Sequence, residues 1–150
     1  YYGELNKDSS YTMSDLYISF IKEGKIKEIP KIDNMINQIN ILYDKGYYIQ
    51  LLTSRPDSNL KCFYETYSWV ENSGIKYNAL DFTYEKYIWI LKQPFFKKIK
   101  AAIDDSPKHA MEYSTHGVKV LVPSFHYNND IKHDKIIKFN IEKCNLEKLI

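Results

Sequence analysis

The sequence predicts an α/β domain built on a mainly parallel sheet with helices on both faces. Three observations lead there. Short apolar runs rich in strand formers alternate with longer segments of helical periodicity. The connections between them are short and carry Gly, Pro, Ser, Asn and Asp. The strand-like runs are apolar on successive residues, as strands covered on both faces must be.

In chain order, Ile32, Met35, Ile36, Ile39, Leu42 and Tyr43 recur at helical spacing between Pro30 and Gly46 and predict a helix over 31–45. The run from Tyr47 to Leu52 predicts a buried strand that opens onto the polar turn Thr53-Ser54-Arg55-Pro56-Asp57-Ser58. A helix over 59–72 follows, with Phe63, Tyr67 and Val70 on one face and a stop at Asn72-Ser73-Gly74. Tyr77 to Phe82 reads as a weaker strand, and Thr83 as the cap of a helix to Leu91. Ile99 to Ile103 predicts a strand ending at Asp104-Asp105-Ser106-Pro107, where Pro107 suits the first turn of a helix to Ser114. Gly117 leads into the strand Val118 to Val122. Ile136 to Asn140 is read as the last strand and Ile141 to Ile150 as a final helix. Residues 1–29 fit less well, since only Leu16 to Ile21 is helical in pattern.

The 150 residues and 44% apolar content suit one domain with its own core, residues 1–150. Lys and Arg number 21 against 19 acids, and a net charge of +2 does not by itself mark a polyanion-binding surface. Cys62 and Cys144 lie far apart without metal-ligand neighbours, which fits packing roles in a reduced, cytoplasmic setting. No stretch approaches the roughly 20 apolar residues that span a bilayer, so no membrane partner is expected. His109, His116, His126 and His133 lack ligand spacing and read as surface or packing residues.

Ligands of parallel sheets bind at the carboxyl ends of the strands. Three polar groups fall there or at a helix start: Thr53-Ser54-Arg55, Lys86 and Asp104-Asp105. Taken singly, each has a plain reading as a turn, a solvated lysine and a helix cap. Taken together they suit phosphoryl chemistry. Adjacent carboxylates repel unless a cation or hydrogen bonds compensate, and Mg²⁺ commonly joins one or two carboxylates to a phosphate. A hydroxyl and a lysine would then hold the phosphoryl oxygens.

The pattern resembles the haloacid-dehalogenase-like (HAD) phosphohydrolases. Ile49 to Thr53 is similar to their second motif, Lys86 to the third, and Ala101-Ala102-Ile103-Asp104-Asp105 to the fourth, over roughly residues 30–125. The resemblance implies a Rossmann-like HAD fold and a Mg²⁺-dependent phosphatase working through an aspartyl-phosphate. Thr53, with Ser54 and Arg55, would bind the phosphoryl group, Lys86 would stabilise it, and Asp104 and Asp105 would hold Mg²⁺. Tyr67-Ser68-Trp69-Val70-Glu71 after Thr53-Ser54 is similar to members acting on nucleotides or nucleic-acid ends, which implies a phosphorylated small molecule or a nucleic-acid terminus as substrate. Trp69 and the tyrosines are also explained as packing residues. The chain departs from the family at its first motif, the Asp-x-Asp run that supplies the nucleophile. Asp8-Ser9-Ser10-Tyr11-Thr12 retains only its first Asp and its Thr. The chain begins without Met, and the nucleophile and the central strand carrying it are expected upstream of Tyr1. The alternative is a degenerate, non-catalytic module that binds a ligand or a protein.

Overall fold

The structure, a computed structural model, describes residues 13–150. The first helix, α1 (Met13–Lys22), contains the helical pattern seen at Leu16 to Ile21. Its Ile21 is buried with Ile26 and with Cys62 of the third helix, so apolar burial holds the segment onto the rest of the chain. The chain reverses after α1 at Gly24, whose φ is +73°, and a Cβ there would lie 2.7 Å from Glu65 Oε1. Only glycine meets both demands without strain.

Helix α2 (Asp33–Asp44) and strand β1 (Gln50–Thr53) fall close to their expected positions. Helix α3 (Leu60–Ser73) starts at Asn59, whose side chain accepts from the Cys62 amide at 3.0 Å, and stops at Gly74 in the left-handed conformation, φ +80°. Strand β2 (Ala79–Phe82) pairs parallel with β1, Gln50 opposite Ala79 through Thr53 opposite Phe82. Thr83 does not cap the next helix. Its amide donates to the Thr53 carbonyl at 2.8 Å and prolongs the ladder, so α4 (Lys86–Leu91) begins one turn later behind Glu85.

Strand β3 is shorter than the sequence implied. Only Ala102–Ile103 is strand, because a 3-10 turn over Phe96–Lys98 precedes it and, among the described residues, ladder bonds form on its β4 side alone. Helix α5 (Pro107–Thr115) follows, then β4 (Val120–Pro123) and β5 (Ile136–Phe139). The expected final helix over 141–150 is absent. Asn140 accepts from the Glu142 amide at 2.9 Å and Asn145 from the Lys148 amide at 3.2 Å, so side chains capture the backbone and leave a 3-10 turn at Leu146–Lys148. Leu146 is fully buried and its amide donates to Gln38 of α2 at 3.0 Å, which ties this end down.

All strand pairs are parallel, and the architecture is α/β. Among the described residues there are two ladders, β1-β2 and β3-β4-β5, with no pairing between β1 and β3. The layers on either face nevertheless run across the division. On one face Leu52 of β1 packs with Tyr87 and Ile90 of α4, Tyr113 of α5 and Val120 and Val122 of β4. On the other, Met35, Ile39 and Leu42 of α2 pack with Ile49, Leu121 of β4, Phe139 of β5 and Leu146.

Candidate functional site

The carboxyl end of β3 places Asp104 at the centre of the polar cluster. Asp104 is 8% exposed, and its Oδ2 accepts from Lys86 Nζ at 2.9 Å. Its Oδ1 accepts from the Ser106 amide at 3.0 Å, a turn that passes the chain into α5, where Ser106 caps the helix and Pro107 occupies its first turn. The two side chains of the ion pair are 16% and 6% exposed, so little water reaches them. Lys86 can reach Asp104 because α4 begins at that residue and packs beside α5.

Asp105 points to a different partner. Its Oδ2 accepts from the Tyr127 hydroxyl, and its carbonyl accepts from Asn128 Nδ2 at 3.0 Å. Asn128 is 1% exposed and also donates to the Pro123 carbonyl at 3.0 Å while accepting from the Phe125 amide at 3.1 Å. This one side chain therefore joins the end of β3 to the end of β4. Burial, with the Asp105 bond second, pushes the Tyr127 hydroxyl well above its usual range. Tyr113, inside the cluster under Asp104, is pushed up by burial and then by that carboxylate.

On β1, Thr53 Oγ1 accepts from the Arg55 amide at 3.3 Å, and Arg55 reaches back to Thr66 Oγ1 of α3 at 3.2 Å. Ser54 Oγ is buried and has no hydrogen-bond partner among the described residues. A recess of about 360 Å³ lies beside this turn, lined by Arg55, Asp57, Phe82, Thr83, Tyr84 and Glu85. The fold thus sets Lys86 against Asp104, and Thr53, Ser54 and Arg55 together at the end of β1. Among the described residues, no hydrogen bond joins Thr53 or Ser54 to Lys86 or Asp104. Asp8 lies outside the described residues.

A larger cavity of about 590 Å³ separates the two groups. Residues 47–52 form one wall, residues 98–104 the other, and Lys86 and Asp104 stand at one end.

The donor chemistry here can be set against what a divalent cation needs. Mg²⁺ takes hard oxygen ligands, commonly one or two carboxylates with several waters. Asp104 and Asp105 supply two such carboxylates, with Lys86 and the Ser106 amide on the two oxygens of Asp104 and Tyr127 on one oxygen of Asp105. No group of three or more His, Cys, Asp or Glu gathers among the described residues, so an all-protein cage is not what they provide.

Sequence reasoning did not foresee the organising part of Asn128. A buried Asn that bonds two distant carbonyls carries no local sequence signal. The histidines take packing and surface roles: His116 stacks on Tyr87 with centroids 4.1 Å apart, and His109 pairs with Glu112 at 3.2 Å. Both cysteines are free, and burial pushes their thiols up. No helix among the described residues is long and apolar enough to cross a membrane.

Comparison with known proteins finds no match: no family model, no curated protein and no solved structure is significantly similar to this chain. What fold and site define is a class, an α/β chain of parallel strands with a buried acid and lysine at a strand's carboxyl end.

Proposed function

We propose that this chain is a HAD-type, Mg²⁺-dependent phosphomonoesterase domain that releases phosphate from a nucleotide or a nucleic-acid end. The observation that carries the reading is the Lys86–Asp104 pair, 2.9 Å apart and nearly water-free at the end of β3. Burying two charges costs several kcal/mol per ion, of the order of what their attraction returns, so stability alone is a weak reason for the pair. A positioned cation beside a carboxylate at the sheet's binding edge is what phosphoryl transfer uses.

In this reading Asp104 and Asp105 hold Mg²⁺, which when bound neutralises phosphate charge. Lys86 Nζ stabilises the phosphoryl oxygens, and Asp104 keeps that ammonium aimed. Thr53 and Ser54 offer hydroxyls to the same group from β1, and Arg55 supplies a further cation at the recess beside them. The buried Ser54 hydroxyl without a partner suits a group that waits for a ligand oxygen. The nucleophilic carboxylate that would form the aspartyl-phosphate comes from outside the described residues. A cytoplasmic setting suits such a substrate.

The test is phosphate release by the complete reading frame from nucleoside monophosphates and from 3′-phosphorylated oligonucleotides, with Mg²⁺ and with chelator. Release should require Mg²⁺ and fall at least about a hundredfold in Lys86→Met, the usual loss when a transition-state donor is removed. No Mg²⁺-dependent release from any substrate would sink the reading.

One observation favours a non-catalytic binding module instead: Asp104 is already satisfied by Lys86 and the Ser106 amide, as a structural carboxylate would be. Calorimetry with Mg²⁺ and inorganic phosphate separates the two. Joint binding without turnover supports the module.

A further inference from the structure

The small net charge conceals a division along the strands. Within each ladder the strands run parallel, and Tyr48 before β1 meets Phe95 before β3 with centroids 5.7 Å apart, so the segments that lead into strands share one end of the fold. Those segments, 45–49, 74–78, 92–101, 116–119 and 132–135, hold nine lysines and one acid, Asp134. The segments that leave strands, 54–59, 83–85, 104–106, 124–130 and 140–145, hold two cations and six acids. The amino end is therefore strongly positive, and the polar cluster lies at the other end.

The densest part is Lys92 to Lys100, four lysines and no acid in nine residues. Its folding presents the charges. Phe96 and Ile99, three residues apart, pack against the core cluster of Tyr87, Ile90 and Val120. The Phe96 amide donates to the Gln93 carbonyl at 3.1 Å and the Ile99 amide to the Phe96 carbonyl at 3.2 Å, which fixes the path between these anchors. Lys97, Lys98 and Lys100 are left exposed, with Lys92 exposed just beyond α4. Among the described residues none of the four forms an ion pair, while two acids at this end are taken by other lysines, Asp44 by Lys76 at 2.7 Å and Glu147 by Lys45. An aromatic face adjoins them: Tyr48 is 60% exposed against Phe95, and the two rings line the larger cavity together with Lys98 and Lys100.

We propose that this end of the fold is a docking surface for single-stranded nucleic acid, with phosphates on Lys92, Lys97, Lys98 and Lys100 and one unpaired base on Tyr48. Clustered lysines without acid partners repel one another, and a sugar-phosphate backbone of any sequence neutralises them while releasing its own counterions. The exposed ring selects among polyanions, because a base offers its face for stacking only when it is unpaired. Strands of four residues rise roughly 13 Å, so this surface is separate from the Lys86–Asp104 end. The inference rests on charge and exposure and does not depend on the phosphohydrolase reading, since binding is read without turnover.

Fluorescence anisotropy of labelled oligo-dT and oligo-U with the full chain, over a salt series of about 50–200 mM, tests it. Both single strands should bind, with log affinity falling against log salt at a slope of about −2 to −3, as three or four phosphate contacts give. The triple variant Lys97→Gln, Lys98→Gln, Lys100→Gln should flatten that slope by about 2 and weaken binding at least about tenfold. Tyr48→Ala should weaken it at least about fivefold. A control triple, Lys22→Gln, Lys27→Gln, Lys143→Gln, removes the same charge elsewhere and should bind as the parent does. All of these side chains are exposed, so circular dichroism melts should coincide with the parent's. No binding at about 50 mM salt, an equal loss in the control triple, a parental slope in the first triple or unchanged affinity in Tyr48→Ala overturns the proposal. Tighter binding of duplex DNA of the same length, or of phosphatidylserine vesicles, also overturns it, assigning the surface to another polyanion.

Discussion

Replacing Lys86 by Met isolates the energetic character of the buried pair. Asp104, 8% exposed, would lose its ammonium partner Lys86 and, among the described residues, keep one hydrogen bond, from Ser106. Removing one member of a buried ion pair costs about 3–5 kcal/mol, because the other charge stays behind unpaired. The surviving Ser106 bond and the 16% exposure of Lys86 place this case near the low end, about 3 kcal/mol. Asp104→Leu combined with Lys86→Met removes both charges, and such replacements are often close to neutral, so the double variant should lose only about 1 kcal/mol. The coupling energy is then about 2 kcal/mol or more. Urea unfolding of the four members of the cycle reads it. With a slope of about 2 kcal/mol/M, Lys86→Met should unfold about 1.5 M earlier than the parent, and the double variant about 0.5 M earlier. Additive losses below about 0.5 kcal/mol in both single variants would refute the reasoning, for they would mean that water already screens the pair.

Asn128→Ala removes donors to the Asp105 and Pro123 carbonyls and the acceptor for Phe125, one of these bonds buried and two part-buried, and should cost about 2–3 kcal/mol in thermal or urea unfolding; a neutral result would show that the loop does not depend on it. Gly24→Ala should destabilise by about 1–3 kcal/mol, since φ is +73° and the new methyl meets Glu65 and Lys61, and circular dichroism melts would register it. Tyr77, Tyr113 and Tyr127 all ionise less readily when folded: Tyr77 chiefly through its bond to Glu71, the other two chiefly through burial. A raised folded value means stability that is fully present below about pH 10, the unfolded tyrosine value, and is lost as pH rises above it. Unfolding free energy measured from pH 9 to pH 12 should therefore fall, and should fall less steeply in Tyr127→Phe. An unchanged slope would contradict the upward shift of that hydroxyl beside Asp105.

The sequence alone determined the local elements whose signals are local. The period of α2, the stop of α3 at Gly74, and Ser106-Pro107 before α5 depend on neighbours within a few residues, and the structure follows them. The same holds for the parallel α/β class, since apolar runs between helices leave few other ways to bury both faces. Tertiary structure decided what depends on partners distant in sequence. Thr83 became a ladder residue because the Thr53 carbonyl was there to receive it, and residues 141–150 gave up a helix because Asn140, Asn145 and Gln38 captured their amides. It also decided the site. Sequence marked Asp104, Lys86 and Thr53, but only the packing of α4 beside α5 sets Lys86 on Asp104, and only the open division between β1 and β3 keeps Thr53 across a cavity from them. The physical reason is range: caps and periodicity act over one helical turn, whereas strand pairing joins residues dozens of positions apart.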